Sequence, residues 1–126
     1  MKSLYTICLG ILFSTNCLSQ NTDINGLWED SSGTSFSNCH AIFAIKNDSV
    51  FMTHYLEFNG IPFVEHGKGI ITGDSLNYNL IVTKEIPGWS TAGVHHLKIF
   101  DNGNTLRGNY SDNKGNTGPI VFKRKK

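Results

Sequence analysis

The chain reads as an all-β protein: an eight-stranded antiparallel up-and-down barrel that follows a cleaved secretory signal. Three observations predict it. Apolar residues alternate with polar ones along most of the chain after residue 20, the period of a half-buried strand. Turn residues recur at short intervals, the spacing of a sandwich or barrel. Helix signals are nearly absent. With 126 residues the chain is sized for a single domain.

The first segment differs from the rest. Met1-Lys2 supplies one positive charge, an apolar run extends to Phe13, and Ser14 to Ser19 are small or polar. That order is the plan of a secretory signal. The apolar run is shorter than the roughly 20 residues a spanning helix needs. Cleavage is placed after Ser19, with Cys17 and Ser19 in the small-residue positions. The domain then runs from Gln20 to Lys126. Cys17 also sits at the depth of a lipidation site, but Ser14 and Asn16 stand where such a site wants an aliphatic and a small residue. Removing the signal takes away Cys8 and Cys17. Cys39 is left as the only cysteine of the domain, so no intramolecular disulfide forms and the core alone must hold the fold. Its expected role is that of a small buried hydrophobe.

Charge excludes some partners. Loss of Lys2 leaves ten basic residues against ten acidic ones. No global field recruits nucleic acid or a membrane surface, and Lys123 to Lys126 read as a solvated tail. The resulting expectation is a monomer, exported to a bacterial periplasm or secreted, with no membrane span. Asn47-Asp-Ser49 and Asn109-Tyr-Ser111 match a glycosylation pattern that has no role in such a setting.

Eight strands are predicted in order. The first is Gly26 to Glu29. The second is Thr34 to Lys46, closed by Asn47-Asp48. The third is Val50 to Phe58, closed by Asn59-Gly60, a strong hairpin dipeptide because both residues tolerate positive φ. The fourth is Ile61 to Thr72, closed by Gly73-Asp74, and its Gly67 and Gly69 mark a bend or a close approach. The fifth is Ser75 to Lys84. Glu85 to Gly93 is the longest loop. The sixth is Val94 to Asp101, the seventh Thr105 to Ser111 and the eighth Gly118 to Lys125. Short links make successive strands antiparallel neighbours, and closure removes the edges. Leu76, Tyr78, Leu80 and Val82 share an inward face, as do His95, Leu97 and Ile99, then Leu106, Gly108 and Tyr110, then Ile120 and Phe122. The third strand is ambiguous: Phe51 and Tyr55 compete with Val50, Met52, Leu56 and Phe58.

Gly26-Leu27-Trp28 opens the first strand and Arg124 lies in the last. With the meander between them, the chain resembles the calycin-type barrels, meaning the lipocalins and their small bacterial relatives; avidin-like barrels share the small size and the early G-x-W. The resemblance implies a structural role for Gly26, Trp28 and Arg124, with the guanidinium lying on the indole face. It also implies a small-molecule site at the barrel mouth. The chain departs from a typical lipocalin in its short length and in lacking a disulfide and a C-terminal helix.

Chemistry-bearing residues are few. Five histidines are present, but no H-x-H or H-x-x-x-H pair exists, and His95 and His96 point to opposite faces. No metal and no cofactor is expected. The Asn59-Gly60 turn sets His54 opposite Glu65, beside His66. That contact reads first as an ordinary solvated cross-strand pair, with a ligand or acid–base role as the alternative. No nucleophile elbow, phosphate loop or calcium loop is present; Gly67-Lys-Gly69 and Asp112 to Asn116 read as strand and turn. Trp89, between Pro87-Gly88 and Ser90, is a plug on the barrel end or a lid over it. Trp89, Tyr55 and Phe63, with His54 and His66, are the candidate ligand contacts. The leading expectation is a non-catalytic barrel holding a small apolar ligand. The alternative is a structural or protein-interaction domain of the cell envelope with a filled barrel. A hydrolase or isomerase using His54 or His66 comes third, and a buried His–carboxylate pair in a cavity would favour it.

Overall fold

A computed structural model describes residues 22–33 and 38–126. The signal assigned to Met1–Ser19, and Cys8 and Cys17 within it, lie outside the described residues.

The eight strands form a closed antiparallel barrel in strict chain order. They are β1 (Gly26–Asp30), β2 (His40–Lys46), β3 (Ser49–Phe58), β4 (Ile61–Thr72), β5 (Ser75–Val82), β6 (Ala92–Phe100), β7 (Thr105–Asp112) and β8 (Thr117–Arg124). β8 closes onto β1, with Trp28 beside Arg124 and Asp30 beside Phe122. This is the predicted up-and-down meander, and the architecture is consistent with the calycin-type fold.

Turn chemistry sets the register. Asn59 and Gly60 take φ of 50° and 75°, so Phe58 pairs with Ile61 and His54 with Glu65. Three boundaries shift from expectation by two residues or more. Within the described residues β2 begins at His40 rather than near Thr34, because Asn38 turns into the left-handed region (φ 52°); residues 34–37 lie outside the description. β5 stops at Val82, two residues short of Lys84. β6 starts early, because Ala92 and Gly93 pair with Ile81 and Leu80.

β3 resolves cleanly. Val50, Met52, His54 and Leu56 point inward, while Phe51 and Tyr55 face solvent. Gly67 and Gly69 mark a close approach. A Cβ on Gly67 would stand 2.8 Å from the Tyr78 ring, and one on Gly69 would stand 1.9 Å from the Asn77 carbonyl. The missing side chains leave room for the buried Tyr78 ring inside the barrel.

Alternating connections give the barrel two unlike ends. At one end lie the β2–β3, β4–β5 and β6–β7 turns. Ile24, fully buried, joins Trp28 there in the core. The Trp28 indole N–H donates to the Ile24 carbonyl (3.0 Å). Arg124 lies on the Trp28 ring at 4.5 Å from its centroid. The same guanidinium donates to the carbonyls of Gly103, Asn25 and Asp23. One guanidinium thus covers the indole and satisfies three carbonyls at this end. Above it, Phe43 meets Trp28, Tyr78 and Phe122 edge-on at 5.5–6.0 Å. Each such side chain contributes about 1.5–3 kcal/mol of burial, and the aromatic cluster fills this half of the interior.

Candidate functional site: a charged floor beneath Trp89

Above the aromatic cluster the interior changes character. Phe122 meets His54 at 5.3 Å and His95 at 6.4 Å between ring centroids. These two histidines form the boundary between filled barrel and a cavity of about 270 Å³ at the opposite end.

His54 is 2% exposed. Its Nε2 lies 3.1 Å from Asp30 Oδ2, and its Nδ1 lies 3.3 Å from Glu65 Oε2. Neither approach is aligned as a hydrogen bond, so both contacts are ion pairs first. Burial opposes charge on all three groups. It pushes His54 down, but Asp30 and Glu65 outweigh it and raise the imidazole above its ordinary value. Burial pushes Asp30 up, yet His54 and Ser32 hold its carboxyl below the usual range. Glu65 follows the same pattern, held down by His54 and Trp89. The arrangement therefore favours the imidazolium form of His54 between two carboxylates.

The expected solvated His54–Glu65 pair is thus corrected. The pairing is right, but both partners are buried and Asp30 makes a third member. The physical reason is parity: His54 shares a strand face with Met52 and Leu56, and that face is the barrel interior.

His95 is buried beside them. Burial lowers its pKa to about 4, and the Tyr78 hydroxyl sits 2.8 Å from its Nδ1. Burial also raises Tyr78 well above its ordinary value. The tyrosine accordingly keeps its proton and His95 stays neutral, the imidazole tautomer setting which of the two donates.

Trp89 roofs the site. Its indole N–H donates to Glu65 Oε1 (3.0 Å), and its ring packs on Phe58 and Phe63 at 5.1 and 5.0 Å. Ile86 anchors the same loop in a second apolar cluster with Cys39, Leu56 and Phe63. Cys39 is buried there, as a small hydrophobe should be. Leu56, Leu80, Val82 and Ile120 supply apolar cavity wall, and Ser111, Asp112 and Asn116 form the rim.

Of the candidate contacts, the structure brings together His54 and Trp89 at the cavity, with Phe63 packed behind Trp89. Tyr55 and His66 are not at this site. Tyr55 faces outward and its hydroxyl donates to Glu57 (2.7 Å). His66 lies on the outer face of β4, beside a shallow groove that also includes Ile42, Phe51 and Ile81. Parity again decides: His66 is one residue from the inward Glu65, and Tyr55 one from the inward His54. Sequence reasoning passed over Asp30. It stood one place beyond the predicted end of β1, and its partner His54 lies two strands away.

The interior does not present a single apolar cup. One half is filled by aromatic side chains, as the scaffold alternative expects, and the other half is a small cavity with an ionised floor. Among the described residues no group of three His, Cys, Asp or Glu side chains is arranged to hold a metal ion, and no helix is long and apolar enough to cross a membrane. No family model, no curated protein and no solved structure matches the chain.

Proposed function

We propose that the chain is a non-catalytic recognition barrel: a filled scaffold at its Trp28 end and a small ligand cup at its Trp89 end. The cavity over the Asp30–His54–Glu65 group carries this reading. Buried charges that line an otherwise apolar cavity are the usual constellation of a binding site. The ligand differs from the purely apolar one expected from sequence, because two carboxylates against one imidazole leave a net negative charge that a purely apolar body would bury uncompensated. A catalytic role for His54 is disfavoured by its surroundings. A general base needs an unprotonated nitrogen aimed at substrate, and both His54 nitrogens face carboxylates. Export through Met1–Ser19, a monomeric state, and a place among the lipocalins and their relatives belong to the same proposal. They rest on the order of residues in that segment and on the Gly26, Trp28 and Arg124 end of the barrel.

A second reading has its own support. The aromatic filling of the lower half fits a scaffold more directly than a carrier. Ile42, Phe51, Ile70 and Ile81 are 41–57% exposed on the outer face, which fits a protein-interaction domain with a filled barrel.

Native mass spectrometry of the purified protein separates the two. The cup reading predicts an excess mass of a small molecule that leaves on unfolding, or Trp89 emission that responds to added ligand. Identical native and denatured masses, with Trp89 emission indifferent to small ligands, leave the scaffold reading in its place.

A further inference from the structure

The charges around the cavity bear on which ligand fits, an inference that rests on the cup reading above. Three carboxylates line the space: Asp30 and Glu65 at the floor and Asp112 at the rim. No lysine or arginine lines it. His54 is the one cationic group, and it sits between the two floor carboxylates. The site therefore keeps a net negative charge with His54 charged and His95 neutral. His54, 2% exposed, lines the same space with both ring nitrogens turned to the two carboxylates. The floor is a built polar group under an apolar wall, and more than a set of surface acids.

Carboxylates accept hydrogen bonds and donate none when ionised. A ligand group that meets them must donate. An ammonium brings three donors, no acceptor and the complementary charge. Phe58, Trp89 and Tyr110 also line the cavity, and aromatic faces attract cations within about 6 Å. Size bounds the remainder. A cavity of roughly 150 Å³ admits benzene; about 270 Å³ admits one ring with a short chain, and excludes a long acyl chain or a sterol.

We infer that the cup selects a compact organic amine: one ring or an apolar body of similar size, carrying a protonated amino group that docks against Asp30 and Glu65 beneath Trp89.

Three probes of one shape test this at neutral pH on the purified protein, by Trp89 emission and thermal shift: 2-phenylethylamine, 2-phenylethanol and 3-phenylpropionate. The amine should bind at least tenfold more tightly than the alcohol, and the propionate should not bind. Glu65→Gln should erase the amine's advantage. Should that variant fail to fold, Asp112→Asn, at the exposed rim, should reduce the advantage several-fold. Equal binding of amine and alcohol, or tighter binding of the propionate, overturns the inference and leaves the cup standing. No response to any of the three also overturns it, and the native mass then decides whether the cup reading falls with it.

Discussion

His54→Leu lowers stability by about 3–5 kcal/mol, the usual effect of removing one partner from a buried ion pair. Asp30 and Glu65 would face each other across the barrel with no cation between them. One would have to take up a proton or draw in water, and the Glu65 contact to Trp89 would weaken with it. For a domain of this size the melting temperature should drop on the order of 15 °C or more. Total stability of small domains is about 5–15 kcal/mol, so the single change brings the barrel close to unfolding. The control is the triple variant His54→Leu with Asp30→Asn and Glu65→Gln. Removing the stranded charges should recover a large part of the loss. If His54→Leu melts like the parent, the imidazolium is not what holds the two carboxylates in the interior. Thermal unfolding followed by circular dichroism reads both variants.

Trp28→Ala should be comparably severe, at about 3–5 kcal/mol. The indole is fully buried and carries three contacts at once. It accepts the Arg124 guanidinium on its face, meets Phe43 edge-on and bonds the Ile24 carbonyl. Its loss opens a hole under the closed end and leaves Arg124 without its aromatic support. Trp28→Phe keeps a ring for the guanidinium and should recover much of the difference. Denaturant titration measures both. A cost below about 1 kcal/mol for Trp28→Ala would mean that the Trp28–Arg124 contact is not a structural cap. The cavity lies at the other end, so any ligand response of Trp89 should survive in Trp28→Phe.

These two sites show what was legible in the sequence. Alternation and turn dipeptides carry the barrel almost completely, because each hairpin is local: Asn59-Gly60 alone sets the His54–Glu65 pairing. The Trp28–Arg124 pairing was legible for a similar reason, since a Trp in the first strand and an Arg in the last meet once the meander closes. The charged floor was only half legible. β3 carries apolar residues on both faces, so its sequence does not declare which one is inward, and a solvated pair is the expectation it gives. The decisive partner, Asp30, reaches His54 diagonally across β2: Trp28, two residues before it on the same face, lines up with His54 through Ala41, a match that needs two registers at once. Tyr55 and His66 were drawn in by residue type, and strand parity puts them outside. The neutral state of His95 depends on burial under Phe122 and Tyr78, which no local pattern encodes.

The central claim is that His54 is a buried imidazolium clamped by two carboxylates, a fixed part of a binding floor with no role as a base. Nuclear magnetic resonance of the imidazole ring nitrogens tests it most directly, with His54 assigned through its loss in His54→Gln. The account predicts both nitrogens protonated at pH 7, with the charge persisting as pH rises past the ordinary histidine range. A neutral ring at pH 7, with one bare nitrogen, would contradict it and return His54 to the role of a general base in an enzymatic site.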